Sequence, residues 1–315
     1  MADLFSVITD QGVMDQAQIT LWREGVILAA SEATNFMPGS PLISQSIVAD
    51  GATATFLKFA QLTGGATLSD GVEVTSEAIV DSKAYATLIE HGNVVTITDM
   101  GDVSVAGRLN LAVPELVGKN MGTYVDKYFI QLLETSSNEY VTNAGGESSV
   151  TASDVITAAY FEKAYTFLRK NSIEPIMDGL YCGFIHPLVL ADMRQATSIV
   201  DWTPVNAYSG ANVQNILRNE IGAYKGFKLI QSANVTTNSD AGSSAVDTFH
   251  TSFFGYNALG AGWSASKGLQ PTFVTGTDKL NRFAHIGWKG TFAGCLVDTN
   301  ASVIVTSASA YGLNV

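Results

Sequence analysis

The sequence predicts a mixed α+β fold, and three observations carry that expectation. Residues 52–60 and 282–310 alternate apolar and polar side chains, the period-two pattern of half-buried strands. Residues 114–135 carry apolar side chains at helical spacing, through Val117, Met121, Tyr124, Val125, Tyr128, Phe129, Leu132 and Leu133. A polar, Gly/Ser-rich stretch at 142–154 then divides the chain, the composition expected of a boundary between two units.

From the beginning, residues 13–33 place Val13, Ala17, Leu21, Trp22, Val26 and Ala29 at helical spacing, interrupted by Gly25. They predict an N-terminal arm with a helix, which Pro38 and Pro41 then force into an extended path. The segment Ala52–Leu62 alternates, with Thr53, Thr55, Leu57 and Phe59 on one parity and Ala54, Phe56, Lys58 and Ala60 on the other. Gly64-Gly65 and Ser69-Asp70-Gly71 supply turn chemistry, and the alternation resumes at Val72. The reading is a long β-hairpin over 52–77 that leads into further strands. Arms of about 12 residues at ~3.3 Å each would reach about 40 Å. A two-stranded ribbon is marginal by itself in water, so it must lie on something. Apolar residues on both faces and few charges favour a neighbouring molecule.

Residues 91–102 read as a turn at His91-Gly92, a short strand and a second turn. Pro114 is expected at the first helical position, with Glu115 beside it. Gly118 and Gly122 lie four apart; either another backbone passes close there, or the helix tolerates them at about 1 kcal/mol each. Thr151 or Ser153 is expected to cap the next helix, which Ile156, Tyr160, Ala164, Phe167 and Leu168 line as far as Lys170. Gly179–His186 reads as an apolar strand and Pro187 as the start of a helix, with His186 as its cap. Gly226–Ile230 reads as strand and 236–245 as a loop. Phe249–Ala265 reads as strand with a glycine-rich turn, followed by two strands joined at Asp298-Thr299-Asn300. Those last strands are expected to pair with the strands before the long helix. No internal repeat is evident, which argues against solenoids and propellers.

Composition narrows the function. Of the 315 residues, 46% are hydrophobic and only 15% charged, against about 25% charged in an average soluble domain. Cover by neighbouring subunits accounts for this, because interface cores are depleted in charge; a weakly charged monomer is the alternative. A net charge of −12 argues against a dedicated nucleic-acid binder, which would carry a basic stripe. An acidic wall would let enclosed nucleic acid slide without sticking. The mean hydropathy is +0.18, yet no run of ~18 apolar residues occurs, so no membrane helix is expected. The N-terminus lacks the basic and apolar regions of a signal peptide. Cys182 and Cys295 stand far apart with no CxxC pair, so neither zinc nor redox chemistry is expected. The usage fits folding in a reducing cytoplasm.

A catalytic set is missing as well. His91, His186, His250 and His285 form no HExxH motif or spaced metal cluster. The glycines at 255, 260 and 262 lack the lysine of a phosphate loop, and no GxSxG elbow occurs. Asp99 and Asp102 are two carboxylates in a turn, short of the roughly six to eight oxygens that calcium takes. Trp22, Phe56, Phe59, Tyr85, Tyr124 and Tyr128 fall at strand or helix spacing, which suits core or subunit contact better than base stacking. No enzyme activity, cofactor or metal is expected.

The succession of elements resembles the major capsid proteins of tailed bacteriophages, with the fold first described in phage Hong Kong 97. Asp50-Gly51 before Thr53–Phe56 looks like the entry to that family's extended loop, and Leu68–Gly71 like the polar turn within it. Val94–Asp99 resembles the strand leading to the spine helix, here 114–135. Phe184–Pro187 through Arg194 resembles the strand–helix unit of the axial domain, and Gly222–Ile230 is similar to the family's glycine–lysine–glycine strand.

The resemblance implies an N-terminal arm at 1–45. It implies a peripheral domain from 46–140 and 280–315, holding the extended loop 52–77 and the spine helix, and an axial domain at 145–280. It implies pentamers and hexamers closing into an icosahedral shell around double-stranded DNA, in a virion assembled in the host bacterial cytoplasm. Subunit-contact candidates are Trp22 in the arm and Phe56, Lys58, Phe59, Leu68, Val72 and Val74 in the loop. Val117, Met121, Tyr124 and Tyr128 mark the spine helix. The chain starts almost directly at the arm, which implies a separate scaffolding protein; a portal and a cement protein are further implied partners. Some members crosslink through a loop lysine, and Lys58 lies in that loop without an evident partner. A bacterial nanocompartment shell and a β-rich tail or surface module remain alternatives.

Overall fold

A computed structural model describes residues 24, 26–30, 34–49, 51–60, 76–100, 109–195, 220–275 and 282–311, with isolated positions between 62 and 73. After helical residues 26–30 come β1 (Ser44–Val48), β2 (Thr53–Phe59), β3 (Asp81–Thr87), β4 (Ile89–Thr98) and the long helix α1 (Leu109–Leu133). β5 (Glu139–Val141), α2 (Ala158–Lys170), β6 (Tyr181–Ile185) and α3 (Pro187–Gln195) follow. The remainder is β-rich: β7 (Glu220–Tyr224), β8 (Phe227–Gln231), β9 (Thr237–Asn238), β10 (Thr248–Phe254), β11 (Leu259–Ser264), β12 (Gln270–Thr275), β13 (Phe283–Leu296) and β14 (Ser302–Ser307).

The strands form two sheets and a separate ribbon. In the first sheet β13 is the long central strand, paired with β4 along 283–292, with β12 along 284–289 and with β11 along 292–296; β1 runs parallel to β11. The second sheet runs β5-β14-β10-β6-β8-β7, with β9 beside β10. The ribbon is β2 against β3. Sheet membership cuts across the expected domain limits. β11 and β12, assigned from sequence to the axial part, lie in the first sheet, while β14, assigned to the peripheral part, lies in the second.

The second sheet is covered on both faces, and β6 and β14 are buried along their whole length, as a sheet between two layers is. Tyr181, Ile185, Leu229, Phe253, Val303 and Val305 point to a core shared with Phe161, Ala164 and Leu168 of α2 and Val189 and Met193 of α3. The alternate residues Cys182, Phe184, Ile230 and Phe254 enter a second core with Val117, Met121, Val125 and Phe129 of α1 and Trp263, Ile286, Trp288 and Phe292 of the first sheet. One core therefore joins both sheets through the long helix. Phe36 packs between Phe129 and Phe184 with tilted rings at 5.3 and 5.2 Å, seating the end of the arm in it.

Asp126, 2% exposed, fixes the same junction. Its carboxylate accepts from Thr34 Oγ1 at 3.5 Å, Asn35 N at 3.2 Å, Ser232 Oγ at 3.1 Å and Asn234 Nδ2 at 2.9 Å. Arm, helix and the turn after β8 thus meet on one side chain, and its hydrogen bonds offset the cost of burying a charge.

Several local expectations are corrected. α1 starts at Leu109 with Pro114 inside it. Leu109, Leu111 and Ala112 are good helix formers that extend it past the proline, which removes the one bond to the Asn110 carbonyl. His91 and Gly92 sit within β4 rather than in a turn. A side chain at Gly92 would meet the Trp288 carbonyl at 2.8 Å, so this glycine marks a close backbone approach. Gly118 does the same in α1: a Cβ there would lie 2.5 Å from the Val26 carbonyl and 2.7 Å from Ala29 Cβ. α2 begins at Ala158, after Thr157, so neither Thr151 nor Ser153 caps it. Asp154 instead accepts from Thr151 N and Oγ1, both at 2.8 Å, and from Asn143 Nδ2 at 2.9 Å. Those bonds hold its carboxyl below the usual aspartate range. His186 does cap α3, its Nδ1 accepting from Leu188 N at 3.3 Å.

Candidate subunit interface

The ribbon's two strands place a row of apolar side chains on a face that the described residues leave open. β2 and β3 pair in antiparallel register, Thr55 opposite Tyr85, Phe56 opposite Ala84 and Leu57 opposite Lys83. Paired residues share a face, so Ala54, Phe56, Lys58, Ala84 and Ala86 form one side and Thr55, Leu57, Phe59, Lys83 and Tyr85 the other. The first side lies on the body. Ala54, Phe56 and Ala86 are buried with Val48, Ala293 and Val297. The seat is made by glycines: a Cβ at Gly260 would stand 2.8 Å from the Phe56 ring, and one at Gly262 2.5 Å from Ala54 Cβ. Lys58 Nζ then reaches Asp298 Oδ2 at 2.6 Å.

The opposite side is bare. Leu57, Phe59 and Tyr85 are 51%, 63% and 60% exposed, and Ile79, of the same parity, is exposed just beyond the strand, as is Val80. The pairing is shorter than the sequence predicts. Its arms are 53–59 and 81–87, seven residues each, about 23 Å long at ~3.3 Å per residue. One further bond, Ala60 N to Val80 O at 2.9 Å, closes the ladder. Gly64 and Gly65 lie beyond it on the outgoing side; glycine costs the most conformational entropy and brings nothing to pack.

The residues expected from sequence divide accordingly. Phe59 lies on the open face. Phe56 does not: it fills a seat in its own molecule, because Gly260 opposite leaves room for its ring. Lys58 is held by Asp298. Trp22, Leu68, Val72 and Val74 lie outside the described residues. Val117 and Met121 are buried core, whereas Tyr124 and Tyr128 reach toward β4 and β13. The Tyr124 hydroxyl lies 2.8 Å from His91 Nδ1, and the Tyr128 hydroxyl accepts from Gly294 N at 3.2 Å. His91 stacks on Phe292 at 4.4 Å. Burial holds its pKa below the usual histidine range, against the opposing effect of its backbone contact with Phe292. Leu57, Ile79 and Val80 were not singled out from sequence. With Phe56 and Leu57 both apolar, parity alone did not say which faces out; the glycine pair at 260 and 262 is the signal that could have.

No group of three or more metal-ligating side chains gathers among the described residues, and no described helix is long and apolar enough to cross a membrane. Burial raises the thiol of half-buried Cys295 to about 11, the opposite of activation.

No protein-family model matches the sequence, and no curated protein matches it. Solved structures do. The capsid of Ralstonia phage GP4 matches with a TM-score of 0.72 at 14% identity, covering 88% of this chain and 90% of that one. The capsid of Helicobacter pylori bacteriophage KHP30 matches at 0.64 and 12% identity, covering 88% and 90%. The cyanophage Pam1 capsid matches at 0.61 and 14%, covering 83% and 86%. At such identities the likeness is one of fold, and it covers more than four fifths of this chain in each case. This chain has the capsid fold of the tailed bacteriophages.

Proposed function

We propose that this chain is a major capsid protein, a structural subunit rather than an enzyme. In this reading its pentamers and hexamers close into an icosahedral phage head around double-stranded DNA. The observation that carries it is the two-sided ribbon: one side is anchored in the chain's own body, and the other presents Leu57, Phe59 and Tyr85 to solvent. A neighbouring subunit is the natural cover for that face. The first sheet would then serve the peripheral part of the tile and the second the axial part around the symmetry axes.

Assembly is multivalent. Weak individual contacts sum to a stable closed shell, because each subunit is held by several neighbours at once. Specific interfaces commonly bury about 1,600 Å² in total, and a projecting ribbon adds area that a flat tile lacks. The low charge content suits surfaces hidden between subunits, and the acidic balance suits a container that does not bind its DNA. A scaffolding protein, a portal and a cement protein complete the proposed set of partners, and the virion is the proposed location.

The test is the size of the full-length chain in solution. Electron microscopy and sedimentation should find closed shells of megadalton mass. Replacing residues 60–80 with a short turn should leave a folded chain that no longer closes shells. A wild-type chain that stays a monomer or a trimer under all assembly conditions sinks the reading, and normal shells from the shortened chain sink the ribbon's part in it.

A further inference from the structure

Among the described residues of the ribbon, Lys58 is the last inward-facing one to touch the body. Phe56 is seated against Gly260 and Val297, and two residues further on Lys58 Nζ meets Asp298 Oδ2 at 2.6 Å. Past that point, among the described residues, the backbone bond from Ala60 N to Val80 O ties the two arms to each other. Among the described residues this ion pair is the outermost hold of the ribbon on the body, and the lysine stands at its fulcrum.

Asp298 is built to hold still. Its Oδ1 accepts from Asn300 N at 3.0 Å, capping the short turn Thr299–Ala301, which leaves Oδ2 for the lysine. The Asp298 side chain is 11% exposed and that of Lys58 35%. Asp298 also sits where β13 leaves the first sheet and the chain crosses to β14 in the second. The carboxylate therefore has the rigidity of both sheets behind it, whereas the lysine has only the ribbon. Phe56 gives the seat apolar adhesion without direction. The ion pair adds a direction, because a charged pair at hydrogen-bond distance is sensitive to both distance and angle.

We propose that Lys58 and Asp298 form a latch that sets the pitch at which the ribbon leaves the body, and so act as positioning residues for the uniformity of the assembled shell. The proposal rests on the capsid reading. A small change of angle at the fulcrum is carried to the open face at Phe59 and beyond, so losing the latch would alter how neighbours meet without altering the fold. Lys58, partly open to solvent, is also the half of the pair that salt can reach.

The test uses the full chain with Lys58→Gln, Asp298→Asn and Lys58→Arg. Asparagine can still cap the 299–301 turn, so Asp298→Asn removes the charge alone. In the unassembled chain, hydrogen exchange should quicken in 53–59 and 81–87 for Lys58→Gln and Asp298→Asn, with the second sheet unchanged. Both variants should assemble into shells of broadened diameter at a raised threshold concentration, and Lys58→Arg should restore the wild-type distribution. Lys58→Met, which keeps the stem without the charge, serves the same end if Lys58→Gln fails to fold. Shells of wild-type diameter and threshold from the uncharged variants, with unchanged ribbon exchange, would overturn the latch while leaving the capsid reading intact. A wild-type chain that forms no shells removes that reading and the latch with it.

Discussion

The second sheet and the ribbon are made of similar strands and reach opposite ends. β6 and β14 are buried along their whole length, with α2 and α3 over one face and the core of α1 over the other. The ribbon is buried on one face and bare on the other. The sheet's apolar surface is satisfied by its own chain, whereas the ribbon's outer face has no cover among the described residues. The contrast separates two uses of the same hydrophobic chemistry: one encodes the fold, the other encodes an encounter. Mutations in the two regions should therefore fail in different ways.

The largest effect is expected in the sheet. Phe253 is fully buried, 5.1 Å from the Phe161 ring and 4.5 Å from the Phe227 ring, and Phe253→Ala should cost about 3–5 kcal/mol, read as a lower midpoint in urea unfolding. An unshifted midpoint would mean that this core is not the one holding the molecule together.

A smaller effect, dependent on pH, is expected where α1 ends against β9 and β10. Glu147 Oε1 accepts from Thr248 Oγ1 at 2.6 Å and Asn238 Nδ2 at 2.8 Å, and His250 Nε2 lies 3.3 Å away. Burial alone would raise the Glu147 pKa, but these hydrogen bonds outweigh it and leave it lowered. A carboxylate with a lowered folded pKa contributes stability that is complete above its ordinary value, about 4.3, and is lost as pH falls through the folded value. Nearby Glu134 has the opposite sign: burial raises it, so its contribution is complete at low pH and is lost as pH rises through its raised value. Glu147→Gln should flatten the acid side of the stability profile. A profile parallel to wild type below about pH 4.3 would contradict the assignment.

The smallest effect on folding is expected on the ribbon's outer face. Leu57→Ser with Phe59→Ser should stay within about 0.5 kcal/mol of wild type in urea, because neither side chain leaves a packed environment. The same pair should abolish or sharply slow shell formation. Loss of folding instead of assembly would show that this face is covered by its own chain.

Much of this architecture is legible in residue order. Period-two alternation marks β2, β13 and β14, helical spacing marks α1 and α2, and the apolar run at 181–185 with Pro187 marks β6 and α3. Three things are not legible, each for a physical reason. β13 and β14 alternate alike and follow one another, so nothing local tells that they enter different sheets; that is decided by β10 and β6, far away in sequence. The ribbon's second arm is displaced from 72–77 to 81–87, because alternation extends past the pairing and a ladder needs a partner as well as a pattern. Which ribbon face turns outward is not legible at Phe56, since the slot that takes its ring is cut by Gly260 some two hundred residues later.

Asp126 carries one more consequence. Its four hydrogen-bond donors are hydroxyl, amide and backbone groups, and among the described residues no cation lies within ion-pairing distance of it. Dipoles fixed in a buried pocket are hardly touched by dissolved ions. The rivet that joins arm, helix and β8 turn should therefore hold equally well in dilute buffer and in brine.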